Sequence, residues 1–363
     1  MKENQELTYY GEYLHLKDLL NTQKPKSKAY GEESHDEMLF ILVHQVYELW
    51  FKQILHELDS LLDVFSQDYV PEKMLSLGVS RMERIIKIQD LLIGQFSVLE
   101  TMTPMDFLDF RDLLIPASGF QSVQFREIEV MMGLSTKNRT AVDRDFFLGR
   151  LSSEDKERVL KREDSPSLLN LVEKWLERMP FTENKSFNFI EEYQSSVEKM
   201  LTLDEAIIQK NTFLTDQQRG FQLKNLEETK MSFNAIFDEE LHGQLKEEGK
   251  RTLSQKAIVN ALFIQLYRDC PILSLPHKFL TCLIDIDENF TTWRYRHSLM
   301  ARRMLGTKIG TGGSSGHEYL KIAAESNQIY TDLFDLSTYM IPRKELPKLP
   351  EDLLKNLDFH FTD

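Results

Sequence analysis

The sequence IDENFTTWRYRHSLMARRMLGTKIGTGGSSGHEYL, residues 286–320, joins a helical stripe to a glycine-rich loop. Members of the stripe stand three or four positions apart and so share one face of a helix; they are Ile286, Phe290, Trp293, His297, Met300 and Met304. Gly306 follows the last member and predicts the end of that helix. The pattern therefore predicts a long helix that turns His297 toward the same side as its apolar residues.

A second apolar stripe, in residues 37–65, also carries a histidine. Its apolar members recur at helical spacing, at Phe40, Tyr47, Phe51, Leu55, Leu58, Leu62 and Phe65. His44 lies one turn after Phe40 on the same face. A single inward histidine is usually a core residue bonded to a neighbour, and that interpretation stays open for both. Two inward imidazoles facing an aromatic cavity also suit haem, with one as axial ligand of the iron and the other as a hydrogen-bonding group across it.

The composition is typical of a large, predominantly helical globular protein. The chain has 363 residues, of which 41% are hydrophobic and 28% charged, with 15 glycines and 11 prolines. This length allows either one large helical domain with a helical insertion or two domains. The net charge of −14 argues against binding to nucleic acid or to an anionic membrane, because both require a basic surface.

The sequence favours a cytoplasmic location. The N-terminus has neither the uninterrupted apolar segment nor the cleavage pattern of a signal peptide, and the apolar run at residues 38–43 is too short to span a bilayer. The two cysteines, Cys270 and Cys282, do not form a CxxC motif. We therefore expect no zinc site and no disulfide framework, which fits a reducing compartment.

An arginine stands among apolar residues in the run MDFLDFRDLL, residues 105–114. Phe107, Arg111 and Leu114 are spaced at i, i+4 and i+7 and so share a helix face. One interpretation is that Arg111 pairs with Asp109 or Asp112 at the surface. If the guanidinium is buried, it needs an anion, and a ligand carboxylate in a bidentate pair would serve.

The glycine-rich loop at residues 310–316 does not resemble a phosphate-binding site. It lacks the GK[ST] motif, follows a helix, and is not surrounded by a βαβ pattern. A flexible lid over a pocket fits better, with Thr311 offering a hydroxyl to a ligand; a plain solvent loop is the alternative. The chain also lacks the HExxH motif of zinc hydrolases and the GxSxG motif of serine hydrolases.

Composition also changes along the chain. The N-terminal segment is rich in tyrosine and must pack on the body of the protein or on a neighbouring subunit, and the Lys- and Glu-dense middle predicts solvated helices. We divide the chain into four parts. The tyrosine-rich segment covers residues 1–30, and the helical core consists of residues 31–133 and 251–345. The charged helical insertion covers residues 134–250, and the irregular tail covers residues 346–363. Further histidines stand in polar settings and are expected at the surface: His15, His35, His56, His242, His277, His317 and His360.

Four runs resemble the tryptophan 2,3-dioxygenase family in the right order along nearly the whole chain. They are DEMLFILVHQVYELWFK (36–52), DFLDFRDLL with PASGFQSVQFREIE (106–129), WRYRHSLMARRMLGTKIGTGGSSGHEYL (293–320) and LFDLSTYMIPR (333–343). The resemblance implies an all-α, haem-binding helical bundle of the tryptophan/indoleamine dioxygenase type. It also implies a cytoplasmic homotetramer that uses haem b and O2 to convert L-tryptophan to N-formylkynurenine, the first step of the kynurenine pathway.

The resemblance implies roles for the two inward histidines and for the arginine. His297 in WRYRH is similar to the axial ligand of the haem iron. His44 in FILVHQ resembles the distal histidine, which hydrogen-bonds the indole nitrogen. Arg111 in DFLDFR is expected to bind the substrate carboxylate.

Other residues are expected to complete the site. Phe40, Phe107 and Leu114 would form an apolar slot for the indole ring; the family has either Tyr or Phe at Phe107, so a hydroxyl is missing here. Thr311 would hold the ammonium and carboxylate ends of the substrate, and Ser118 in PASGF would lie near the haem. In the implied tetramer, two tyrosines reach into the pocket of a neighbouring subunit: Tyr10 and Tyr13.

Three other functions remain open. A haem-binding sensor or storage protein would share the fold but lack turnover, although Arg111 and Thr311 argue against it. A structural scaffold without a cofactor would require both inward histidines to be ordinary core residues. A related haem enzyme that acts on a modified tryptophan is the nearest enzymatic alternative.

Overall fold

The fold is given by a computed structural model that describes residues 8–134, 148–184, 187–308 and 316–359. Within these ranges it is almost entirely helical, which confirms the predicted all-α class, and one antiparallel pair of short strands joins β1 (Glu183–Asn184) to β2 (Phe187–Asn188). The α-helices are α1 (Tyr10–Tyr13), α2 (Leu16–Leu19), α3 (Lys26–Ala29), α4 (His35–Phe65), α5 (Glu72–Leu99), α6 (Pro104–Arg111), α7 (Val123–Met132), α8 (Ser153–Glu163), α9 (Leu168–Glu177), α10 (Phe189–Lys210), α11 (Asp216–Phe237), α12 (Glu239–Glu247), α13 (Gln255–Leu266), α14 (Pro271–Leu305), α15 (Gly316–Ser326), α16 (Thr331–Asp335) and α17 (Glu351–Asn356). Short 3-10 helices lie at Asp112–Leu114, Gly119–Gln121, Leu336–Tyr339 and Arg343–Glu345.

Helix α14 contains the whole predicted stripe. Its 35 residues correspond to a length of about 52 Å. It ends at Leu305, and Gly306 follows with a φ of 61°, a backbone conformation that residues with a Cβ rarely adopt. The structure thus confirms Gly306 as the residue that ends this helix.

The core forms where α14 meets its neighbours. Helix α14 packs along α5 and α15, α5 packs along α4, and α4 packs along α7. Leu283, Ile286 and Phe290 of α14 are almost completely buried, and each such side chain contributes about 1.5–3 kcal/mol to folding. Because the same helix face continues to His297, this packing also sets where the histidine lies.

The middle of the chain contributes to this core, in contrast to the solvated helices that its composition predicts. Leu168, Val172 and Leu176 of α9 are completely buried, and α9 packs against α4 and α13. The outer face of an amphipathic helix dominates its composition, whereas the period of its apolar residues determines its burial. The division of the chain into a core and an insertion remains a prediction.

The N-terminal segment is tied to α4 through a buried carboxylate. Glu37, which is 1% exposed, accepts hydrogen bonds from the backbone N–H groups of Lys26 and Ser27 at 2.7 and 2.9 Å. Farther toward the N-terminus, Tyr10 and Tyr13 are 70% and 74% exposed. The segment is therefore anchored at one end, while these two tyrosines are not covered by the described residues.

One histidine expected at the surface is buried. His242 is 2% exposed, and its Nδ1 and Nε2 lie 3.1 and 3.0 Å from the carbonyl oxygens of Ala235 and Leu253. These contacts join the end of α11 to the segment before α13. The prediction of a surface position was wrong because it relied only on the polar residues next to His242 in sequence. His360 lies outside the described residues. Across the part of the chain that is described, none of the helices combines the length and apolarity needed to cross a membrane.

Candidate active site

Predicted site residues from three helices meet around one cavity of about 260 Å³. Phe40 and His44 reach it from α4, Phe107 and Arg111 from α6, and His297 from α14. The rest of its wall is mostly aromatic and apolar. The two histidines that the stripes turned inward therefore face the same space, although 253 positions separate them in the chain.

The position of His44 in α4 selects one form of its imidazole. Its Nδ1 lies 2.7 Å from the carbonyl oxygen of Phe40, one turn earlier. Because a carbonyl oxygen only accepts, Nδ1 carries the proton and Nε2 of the neutral ring is an acceptor. Burial lowers the pKa of His44, against smaller raising effects of that carbonyl and of Glu48, so the ring is neutral near pH 7. His44 can therefore accept a hydrogen bond from a ligand in the cavity.

His297 is also neutral, but its polar environment is different. Burial lowers the pKa of His297 to about 4, and His44 adds a smaller effect in the same direction. Its Nδ1 is buried, and no group among the described residues meets it with hydrogen-bond geometry. A neutral imidazole that faces a cavity is the form that binds a metal.

These properties fit a haem group. Haem needs a neutral imidazole as axial ligand and an apolar, aromatic wall around the porphyrin, and His297 and the cavity provide both. The buried Nδ1 has no hydrogen-bond partner among the described residues, so their contacts alone do not satisfy this ring.

A cluster of aromatic rings lies beside His44. The ring of Phe40 lies against His44 at a tilt of 35° with a centroid distance of 4.1 Å, and it stacks on Phe107 at 5.7 Å. Phe110, which is completely buried, meets the edges of both phenylalanine rings at 5.5 Å. Such stacked and edge-on rings form a flat apolar surface, which suits a planar aromatic ligand.

Arg111 lies in the cavity wall, so it is not simply a surface residue paired with a neighbouring aspartate. Its side chain is 15% exposed, and its Nη1 is 3.8 Å from Oδ1 of Asp112, whose own side chain is 83% exposed. A long ion pair to an exposed carboxylate is weak. A cation in a mostly apolar wall attracts an anionic ligand, and a carboxylate matches its planar fork of donors.

The remaining predicted site residues have different positions. Ser118 lines the cavity, and its hydroxyl accepts from the N–H of Phe120 at 3.4 Å. Helix α6 ends at Arg111 and continues as a 3-10 helix, and Leu114 at its end packs against the hydrophobic core. Among the described residues the cavity wall does not include Leu114. Thr311 lies outside the described residues.

Three polar residues of the cavity wall were not predicted from the sequence, namely Glu48, Tyr47 and Ser122. Glu48 lines it one turn after His44, and its backbone and carboxylate oxygens accept from Nε2 of Gln124 at 2.9 and 2.8 Å. The four-residue spacing from His44 was the signal that could have identified it. Tyr47 was counted only as a core residue, and its hydroxyl donates to the carbonyl of Leu92 at 2.8 Å.

A buried ion-pair network fixes α14 just before His297. Arg294, which is 2% exposed, donates to Oε1 of Glu129 and to the carbonyl of Asn327, both at 2.9 Å. Oε2 of Glu129 accepts from Arg126 at 2.7 Å. These bonds connect α14 to α7 and to the segment after α15, so they hold the histidine helix against two walls of the site.

Comparisons with known proteins agree with this site. A family model described as tryptophan 2,3-dioxygenase matches residues 2–340. A curated protein of that name from Alteromonas mediterranea is 47% identical over 99% of both chains. One from Bdellovibrio bacteriovorus is 50% identical over 97% of this chain and 98% of the relative. One from Dictyostelium discoideum is 43% identical over 98% of this chain and 89% of the relative.

Proposed function

The chain belongs to the tryptophan 2,3-dioxygenase family, and we propose that it uses haem b and O2 to open the indole ring of L-tryptophan and form N-formylkynurenine. The observation that carries this proposal is one aromatic cavity that combines two neutral histidines with an arginine. A haem protein without turnover would not need a cation positioned for the carboxylate of an amino acid.

His297 would hold the iron of haem b through its imidazole. The bound group supplies the activation of O2, for which side chains have no equivalent chemistry. The protein's own contribution is to bind the substrate in one orientation and to keep water away from it. The apolar wall and the low pKa of His297 support this assignment, because both describe a site that excludes water.

His44 orients the indole ring. Its Nε2 is the acceptor in the tautomer fixed by the carbonyl of Phe40, and the indole N–H is the one donor on the substrate ring. The flat surface of Phe40 and Phe107 receives the ring itself. An analogue without the N–H leaves an imidazole nitrogen of the cavity wall unpaired, at a cost of about 1–3 kcal/mol.

Arg111 orients the other end of the substrate. A bidentate pair with the carboxylate fixes the α-amino acid relative to the indole slot. We assign Thr311 to the ammonium and carboxylate ends and Ser118 to the vicinity of the haem on the strength of the family resemblance.

Replacement of His44 by Ala should leave haem binding intact and reduce selectivity. The variant loses the acceptor for the indole N–H but keeps His297, so haem content measured by absorption should match the original protein. The preference in kcat/KM for L-tryptophan over 1-methyl-L-tryptophan should fall by about tenfold. If the His44→Ala protein lost its haem completely, the distal role of His44 would be refuted.

We also propose a homotetramer in which Tyr10 and Tyr13 contact a neighbouring subunit. Their rings are 70% and 74% exposed, and a stripe on α4 is unusually exposed for apolar residues, comprising Met38, Leu42, Val46 and Leu49. Exposed apolar surface of this extent is typical of subunit interfaces. A cytoplasmic location is supported by the free thiols of Cys270 and Cys282, which suit a reducing compartment.

The proposed reaction is tested by product analysis. The haem-loaded, reduced protein is mixed with L-tryptophan in air, and N-formylkynurenine is measured by chromatography, with haem-free protein as the control. We expect product only from the haem-loaded protein. A protein that binds haem but forms no product would favour the sensor alternative, and one that binds no haem would make both histidines ordinary core residues.

A further inference from the structure

Three aromatic rings pack against one another next to His297. The centroid distances are 6.0 Å between Tyr47 and Phe96, 5.8 Å between Phe96 and Trp293, and 6.1 Å between Tyr47 and Trp293. Each ring comes from a different helix, namely α4, α5 and α14. The imidazole of His297 lies 5.2 Å from Trp293 and 6.0 Å from Phe96, so two of the three rings contact it directly.

The hydroxyl of Tyr47 is the polar anchor of this ring cluster. It donates to the carbonyl of Leu92 on α5 at 2.8 Å, and the Tyr47 side chain is 7% exposed. Burial raises the pKa of this hydroxyl, and the side chain of Trp293 is close enough to lower it partly. The indole N–H of Trp293 is buried and has no hydrogen bond of normal geometry within the described residues. The hydroxyl oxygen of Tyr47, whose ring packs against Trp293, is an acceptor close to this N–H.

The imidazole ring of His297 needs neighbouring groups that hold it in one orientation. An axial histidine is usually oriented by a carboxylate, carbonyl or water that accepts from its second ring nitrogen. The described part of the chain offers Nδ1 of His297 no such partner. The neighbouring rings are therefore what restricts rotation of the imidazole, and the rings are themselves fixed by the one hydroxyl among them that makes a hydrogen bond.

We propose that Tyr47 is a positioning residue for His297. Its hydroxyl joins α4 to α5 and holds the Trp293 and Phe96 rings in the orientation that aims the imidazole at the cavity. The proposal rests on the assignment of His297 as haem ligand in the proposed function. Tyr47 also lies three residues after His44 on α4, so the same hydrogen bond fixes to α5 the helix that carries His44.

The Tyr47→Phe variant tests this role because it removes one oxygen and keeps the ring. The full-length, haem-loaded protein is reduced, and the iron–histidine stretching band is recorded by resonance Raman spectroscopy. Haem loss is followed by transfer to excess apomyoglobin. We expect a shifted or broadened band and about tenfold faster haem loss, the size typical of a lost outer partner of a metal ligand.

Tyr193→Phe is the matched control. Tyr193 is 1% exposed, its hydroxyl also donates to a backbone carbonyl, that of Tyr339, and it does not line the cavity within the described residues. It should lose comparable stability without a change in the band. Equal behaviour of the two variants in both measurements would overturn the role of Tyr47. Retention of the band in a His297→Ala protein would instead overturn the ligand assignment, so the two failures are distinguishable.

Discussion

The His297→Ala protein is expected to fold but to bind haem at least a hundredfold more weakly and to lose its dioxygenase activity. His297 faces the cavity with a neutral ring, and removal of an axial ligand removes the bond that holds the iron. The protein should still fold, because the substitution keeps the buried residues Ile286 and Phe290 that pack the same helix. Haem titration followed by the Soret band measures the affinity, and circular dichroism measures the helix content.

His277→Ala serves as the control for this prediction. His277 is a half-buried histidine on the same helix and does not line the cavity within the described ranges, so its replacement should leave haem affinity unchanged. Added imidazole should partly restore haem binding to the His297→Ala protein, because the small molecule can occupy the space of the missing ring. Haem affinity that survives the loss of His297 would show that another group holds the iron.

Replacement of Arg111 by Met should raise the KM for L-tryptophan by about a hundredfold with a smaller change in kcat. A charge-assisted bidentate pair is worth about 1.5–3 kcal/mol, and an interaction made equally in the bound substrate and the transition state affects mainly KM. Met has a similar length without the charge. Arg111→Lys should give an intermediate KM, because lysine keeps the charge but loses the fork of donors.

Tryptamine provides the internal control for Arg111, since it has the indole and the ammonium group but no carboxylate. Its affinity, measured as inhibition of the reaction, should be the same for the original protein and for Arg111→Met. An equal loss of affinity for tryptamine and for L-tryptophan would indicate a general disturbance of the cavity. Unchanged affinity for L-tryptophan would exclude Arg111 from the carboxylate site.

The features predicted correctly from sequence are those with a local period. The stripes that contain His44 and His297 repeat every three or four residues, so the face on which each histidine lies follows from spacing alone. The end of α14 at Gly306 follows from a single residue whose positive φ is a property of glycine. From the sequence alone, it was only a hypothesis that both histidines face one cavity. Two helices that pack in separate cores would show the same apolar stripes.

The features that sequence could not reveal depend on contacts between distant residues. The bond between Glu48 and Gln124 and that between Tyr47 and Leu92 join different helices. The change from α-helix to 3-10 helix after Arg111 was not predicted, and the place of Leu114 in the indole slot remains a prediction. His242 was misplaced because one of its partners, Leu253, lies in a different segment.

The most direct test of the proposed reaction is a single turnover with isotopically labelled oxygen. The reduced, haem-loaded protein is mixed with L-tryptophan under 18O2, the reaction is stopped quickly, and the product is analysed by mass spectrometry. We predict N-formylkynurenine that carries two 18O atoms from one O2 molecule, since both atoms enter across the indole C2–C3 bond. A product with one labelled atom, or unchanged tryptophan in the presence of bound haem, would contradict the proposed dioxygenase function.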